Sequence, residues 1–302
     1  MIREKLQQIA EAAEKTVSGP LGIGFKDLKT GEEFFFNGDF VFPTASVFKI
    51  FVLAEILLKQ KKGLLSLHDR HTLRDSEKSI GSGILEMIED GADLSLHDYV
   101  MLMMSISDNT ATDYLMKLAD PEDIRRDLLL PHGLEHTRCN MDCRGLLTAY
   151  YGITVEEYRE IVRKDERFHM RNGSYFRCTE EKNDQSSPKD LTKTMSLLYA
   201  GRFVDAENDA AILDIMAKCH TNARIPAKLP ASVKVAHKTG SIDHLANDTG
   251  IVYTAKGDYV LSLFYNGNLA SEEEYEGTAW GTKGTALLAQ LSRDIYDAYM
   301  EA

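Results

Sequence analysis

Strand-forming runs lie at both ends of this chain and helical periodicity fills its middle, so the two ends have to meet in one sheet. Residues 21–25 and 33–36 are short β-type runs joined by Asp27-Leu28-Lys29-Thr30-Gly31, which reads as a hairpin. Sheet signals return over 233–236, 248–254 and 259–265, with turns at Lys256-Gly257-Asp258 and Asn266-Gly267-Asn268. Between them, helical spacing of apolar residues covers 46–61, 95–105, 110–118, 121–129, 155–163, 191–201 and 209–218. A last helix is expected over 281–299, with Leu287, Leu288, Leu291, Ile295 and Tyr299 on one stripe. The expected fold class is α+β: an antiparallel sheet with flanking helices from residues 1–44 and 222–302, and an inserted all-α lobe over 45–221. The two lobes are expected to form one structural domain with the site in the crevice between them.

Composition narrows the partners. A chain of 302 residues with 43% hydrophobic content is long enough to bury a large core. Its formal charge of -12 and pI near 5.3 argue against nucleic acid or an anionic membrane and for a small-molecule substrate. The most apolar stretch, 50–58, is interrupted by Glu55 and is far shorter than a membrane span. Residues 1–17 read as an amphipathic helix and not as a signal peptide, because no uninterrupted apolar core is present. The chain as written is therefore expected in the cytoplasm, or in a secreted or periplasmic setting if a leader has been removed. Cys139, Cys143, Cys178 and Cys219 match no usual zinc spacing and read as free thiols, so no metal and no cofactor is expected. The acidic run 271–276 reads as a solvated loop, and a monomer is expected, since no heptad pattern is present.

Three short motifs carry the chemistry: Ser46-Val47-Phe48-Lys49, Ser107-Asp108-Asn109 and Lys238-Thr239-Gly240. Each alone is weak, since S-x-x-K arises about once by chance in a chain this long. Indeed Ser186-Ser187-Pro188-Lys189 and Lys29-Thr30-Gly31 are further matches. The first of these lies beside a proline and the second at a hairpin tip, so context disqualifies both. Ser46, in contrast, stands before the apolar run 47–58, where a helix start offers unpaired N–H groups to developing negative charge. Lys49 follows on the same helical face. Ser107 to Asn109 fall in a loop between helices, and Lys238 follows a β-type run and is expected at a strand edge.

With these contexts the chain resembles the class A β-lactamase family of penicillin-recognising serine hydrolases, whose trio of S-x-x-K, S-D-N and K-T-G is a documented signature. The resemblance covers nearly the whole length and extends through Phe42-Pro43-Thr44-Ala45, Thr110-Ala111, His237, Ser241 and Asn247-Asp248-Thr249-Gly250-Ile251-Val252. It implies the β-lactamase/transpeptidase-like fold and a hydrolase that opens β-lactams through a serine acyl-enzyme. Ser46 would be the nucleophile, Lys49 its base and Ser107 the proton relay to the leaving nitrogen. Backbone N–H groups of Ser46 and Ser241 would form the oxyanion hole. Lys238, Thr239, Gly240 and Ser241 would hold the substrate carboxylate, and Asn109 the side-chain amide.

One part of the family pattern is missing. The resemblance calls for E-x-x-L-N, whose Glu activates the deacylating water, but residues 137–146 contain none, and an extra segment of roughly 148–184 follows. Asp142, Glu180 and Glu181 are the candidate replacement bases. Slow turnover of the acyl adduct is therefore expected. The rival readings are a D,D-peptidase acting on D-Ala-type peptides, a cytosolic esterase or amidase, and a non-catalytic β-lactam-binding sensor domain.

Overall fold

A computed structural model describes residues 2–164, 173–271 and 281–302. The acidic run beyond Ser271 lies outside the described residues. Five strands form one antiparallel sheet in the order Glu33–Phe36, Leu21–Asp27, Tyr259–Asn266, Leu245–Val252, Val235–Ile242. The N-terminal hairpin thus pairs with a C-terminal strand, in a register that sets Ile23 opposite Leu263.

Helices cover both faces, so the central strands are buried throughout instead of alternating between core and solvent. On one face Ile2–Glu14 and Thr282–Glu301 bury Leu6, Ala10, Leu288, Leu291 and Ile295 against Ile23, Phe25, Leu261 and Leu263. On the other face the helices Lys49–Lys61, Asn109–Ala119 and Pro188–Tyr199 pack with Phe42, Ile251, Val260 and Phe264. Two hydroxyls on the buried strands are paired: Thr249 Oγ1 meets Ser262 Oγ at 2.7 Å, and Ser262 meets Thr192 Oγ1 at 3.1 Å.

Three features depart from the sequence expectation. The helix expected over 46–61 begins as a 3-10 turn, Ala45–Phe48, and becomes α-helical only at Lys49. The strand expected over 233–236 runs from Val235 to Ile242, so Lys238 to Ser241 lie inside the edge strand, held by eight residue pairs with Leu245–Val252. An additional helix, Cys143–Tyr151, is capped by Asp142, which accepts from the Gly145 N–H at 2.7 Å. Polar residues and Gly145 hide its weak apolar pattern. It continues into the segment 148–184, where a second helix, Val155–Arg163, begins with a Thr154–Glu157 capping box. Tyr150, Tyr151 and Phe176 pack against Ile242 and Leu245, so this segment covers the end of the sheet beside the edge strand. Tyr151 Oη donates to Asp243 at 2.7 Å and fixes that cover in place.

The helix Lys49–Lys61 buries nine consecutive residues from Lys49 to Leu57, as befits a central core helix. One of them, Glu55, has neither carboxylate oxygen hydrogen-bonded. Burial first, and Asp127 second, raise its pKa to about 7 against the pull of Lys59 and Lys62. The folded state therefore holds this proton more tightly than the unfolded chain, whose Glu titrates at about 4.3, and the resulting loss of stability develops as pH rises from there through about 7. Glu55→Gln is expected to raise Tm by about 2–4 °C at pH 8 and by nothing below pH 4. Scanning calorimetry at the two pH values checks this, and an equal change at both would exclude the ionisation argument.

Candidate active site

Ala45 has φ of 44°, a left-handed conformation uncommon for a residue with a side chain, and this sharp turn delivers Ser46 to the head of its helix. The edge strand crosses there in close contact: a Cβ on Gly240 would come within 2.2 Å of the Thr44 carbonyl oxygen and 3.2 Å of the Ser46 nitrogen. Only glycine lets the two backbones approach so closely. Ser46 and Ser241 consequently line one cavity of about 170 Å³, together with Ser82, Asn109 and Cys143.

Lys49 is fully buried. Its Nζ donates to Ser107 O at 2.8 Å, Asn109 Oδ1 at 2.9 Å and Ser107 Oγ at 3.1 Å. Lys238, equally buried, donates to the same Ser107 Oγ at 3.1 Å and to Thr239 O at 3.0 Å. One hydroxyl is thus held between two ammonium groups. Ser107 itself has φ of 61°, and the adjacent Asp108 maintains that loop by accepting N–H bonds from Ile84, Leu85 and Ala111 at 2.6, 2.9 and 2.9 Å. Ser82 Oγ closes the loop onto Ser107 O at 2.7 Å, while Asn109 Nδ2 donates to Ile80 O at 2.8 Å.

Burial lowers the pKa of both lysines. For Lys49, desolvation outweighs the opposing pull of Cys143, Asp113 and Asp108. For Lys238, desolvation and then the Lys49 charge draw the pKa down to about 7, despite Cys219 and Asp248. Both shifts ease loss of the proton, the direction a base beside a serine hydroxyl needs.

One neighbour carried no sequence motif. Arg224 is buried and donates from Nη1 to Gly240 O at 2.8 Å and Asn247 O at 2.6 Å, and from Nη2 to Ser241 Oγ. Behind the strand, His237 Nδ1 meets Asp248 Oδ1 at 2.9 Å and its ring lies against the Cys219 thiol. Burial opposes the imidazolium, but Asp248 and Cys219 outweigh it and lift the His237 pKa to about 10. Asp248 Oδ2 also accepts from Ile225 N at 3.0 Å, which ties the segment carrying Arg224 to the sheet.

The three candidate bases lie elsewhere. Asp142 is exposed, caps its helix and faces a second pocket with Asp113 and Lys182. Glu180 receives the Ser174 hydroxyl, and the carbonyls of Glu180 and Glu181 accept from Arg138. None of them lines the Ser46 cavity, and the residues that do include no carboxylate among those described. The four cysteines are free, and no group of His, Cys, Asp or Glu among the described residues could hold a metal ion. No described helix is long and apolar enough to cross a membrane.

Residues 1–299 match the model of the Beta-lactamase enzyme family. Beta-lactamase CARB-3 of Pseudomonas aeruginosa is 25% identical over 299 residues, spanning 98% of this chain and 91% of that enzyme. Beta-lactamase CARB-4 of the same organism is 28% identical over 136 residues, which is 45% of this chain and 46% of that enzyme. The crystal structure of a β-lactamase from Sphaerobacter thermophilus DSM 20745 superposes with a TM-score of 0.78 at 25% identity, covering 99% of this chain and 98% of that one.

If Lys238 holds a ligand carboxylate, as the sequence resemblance implies, its pKa of about 7 makes capture weaken as pH rises through that value. Lys238→Arg, whose guanidinium stays charged, is expected to keep capture level to pH 9. Stopped-flow association rates for a carboxylate-bearing ligand across pH 6–9 compare the two, and parallel profiles would dismiss the assignment.

Proposed function

Because this chain belongs to the β-lactamase enzyme family, we propose that it is a serine hydrolase acylated at Ser46 by β-lactams, with slow release of the product. The observation that carries this reading is the Ser107 hydroxyl held 3.1 Å from both Lys49 Nζ and Lys238 Nζ, with Lys49 also bonded to Asn109, which lines the cavity beside Ser46. Neutral Lys49 takes the Ser46 proton as Oγ attacks the lactam carbonyl. The C–N bond breaks as Ser107 passes its proton to the departing nitrogen, and Lys49 returns one to Ser107.

The N–H groups of Ser46 and Ser241 stabilise the oxyanion, as the close approach at Gly240 supports. Lys238 supplies positive charge for the substrate carboxylate, with Thr239 and Ser241 as hydroxyl partners. Asn109 remains the contact for the side-chain amide. Arg224 adds a second cation at this end of the cleft through its bond to Ser241 Oγ.

Slow release follows from the lining of the cavity. A serine ester needs an activated water, and the carboxylates nearest in sequence cap a helix or bond to loops outside the cavity. The same observation favours a second reading, a D,D-peptidase acting on D-Ala-D-Ala peptides, whose acyl group passes to an acceptor other than a fixed water. Hydrolysis of a chromogenic cephalosporin measured beside that of a D-Ala-D-Ala peptide separates the two.

Intact-protein mass spectrometry after mixing with benzylpenicillin is expected to show one adduct, on Ser46, that outlasts many seconds, and none in Ser46→Ala. Prompt disappearance of the adduct with consumption of the antibiotic would refute slow release. Absence of any adduct would refute the β-lactam reading.

A further inference from the structure

Ala45, Leu146, Leu147, Tyr151, Tyr158 and Ile242 line the Ser46 cavity and belong to one apolar cluster. The helix Cys143–Tyr151 supplies most of this wall, because Cys143, Leu147 and Tyr151 recur at four-residue spacing and so share one helix face. Tyr158 comes from the following helix, Val155–Arg163, with its ring centroid 6.5 Å from that of Tyr151. Both helices overlap the extra segment of roughly 148–184. Two fastenings hold them in place: Tyr151 Oη donates to Asp243 Oδ1 at 2.7 Å, and Arg159 Nε pairs with Glu86 at 3.1 Å, a few residues beyond Ser82.

The wall meets the catalytic loop at Gly81. There φ is 98°, and a Cβ would come within 2.7 Å of Asn109 Nδ2 and 3.0 Å of Leu147 Cδ1, so the Asn109 amide and the Leu147 side chain flank the same glycine. Resting on the reading of Ser46 as the acylated serine and Asn109 as the contact for the side-chain amide, we propose that Leu147 and Tyr158 form a subsite that selects β-lactams whose acyl side chain ends in an uncharged apolar group. A substituent carried beyond an amide at Asn109 reaches Leu147 next, with Tyr151 and Tyr158 on the same wall. An apolar cavity of about 150 Å³ accepts benzene. The Ser46 cavity, at about 170 Å³, has room for one such ring.

Charge is excluded by the same wall. None of the described lining residues is charged. On the segments that build it, Asp243 is taken by Tyr151, Arg159 by Glu86, and Arg144 Nη2 donates to Lys78 O at 2.6 Å. Lys238 and Arg224, which bond to Ser107 and Ser241, do not line the cavity. A carboxylate on the acyl side chain therefore loses its water at this wall and gains no cation in exchange, whereas a phenyl group gains contact. Leu147 and Tyr158 are only half-buried, so each can be replaced without opening the core.

The experiment measures second-order rate constants for Ser46 acylation by quenched-flow intact mass. It compares benzylpenicillin with carbenicillin, whose side chain carries one further carboxylate, and with 6-acetamidopenicillanic acid, which keeps the amide and lacks the ring. The proteins are the full chain, Leu147→Ala, Leu147→Lys and Tyr158→Ala. In the unmodified protein benzylpenicillin is expected to react about tenfold faster than either analogue. Leu147→Ala and Tyr158→Ala are expected to remove most of its advantage over the acetamido compound, and Leu147→Lys to place carbenicillin first. A ratio between two ligands on one protein is unmoved by a loss of folded fraction, so a merely structural role for these residues leaves it constant. Equal rates for the three penicillins in the unmodified protein, or ratios unchanged in all three variants, overturn the subsite and leave the β-lactam reading in place. Should no penicillin label Ser46, p-nitrophenyl phenylacetate and p-nitrophenyl hydrogen succinate read the same wall. Preference for the phenylacetate that is lost in Leu147→Lys then overturns the β-lactam reading and supports the subsite, and no labelling by any reagent overturns both.

Discussion

Two lysines buried against a single serine hydroxyl constrain everything around them. Removing an ammonium from water is expensive unless it is paired and hydrogen-bonded, and here the principal acceptors are a hydroxyl, an amide and backbone carbonyls. The cost appears as a lowered pKa of both lysines, the property on which the proposed base chemistry draws. The surrounding structure keeps this arrangement from relaxing. Asp108 holds the Ser107 loop with three N–H bonds, and Asp248 secures both the imidazolium behind Lys238 and the segment bearing Arg224.

The architecture explains how such a group is assembled from distant parts of the chain. Lys49 comes from a helix wrapped on all sides by core, so its position is set by packing instead of by a flexible surface. Lys238 comes from a strand held in register along its length. Ser107 occupies the loop between two helices, and strain at Ala45 and at Ser107 is concentrated beside Ser46 and the two buried lysines. Polar and strained elements at the centre are thus borne by the apolar layers on either side of the sheet.

Much of this was legible in the sequence because the relevant signals were local. Ser46 and Lys49 share a helical face at i and i+3, and the strand-forming runs at both ends announced a sheet closed by the two halves of the chain. Other features had no local signal. Arg224 lies in an irregular stretch and acquires its role only from carbonyls at 240 and 247. Cys143 looked like one of four unremarkable thiols, and its neighbours in the cavity, Ser46 and Asn109, are distant in sequence. The helix Cys143–Tyr151 was obscured by Arg144 and Gly145, and its start depends on a carboxylate thirty residues earlier, at Asp113. Lys238 inside a strand, instead of at its end, reflects burial beneath helices that offsets an unfavourable polar content.

The pairing of Leu21–Asp27 with Tyr259–Asn266 has a consequence for the order in which the molecule is made. During synthesis the first hairpin emerges early but lacks its neighbour until residue 266 has left the ribosome, and an isolated hairpin is only marginally stable in water. The helical middle, with its apolar central helix, is therefore exposed before the sheet that supports it exists. Assembly has to wait for the closing strands at the end of translation, so the nascent chain depends on protection during that interval, and a protein truncated before residue 259 has no surface on which to complete its core.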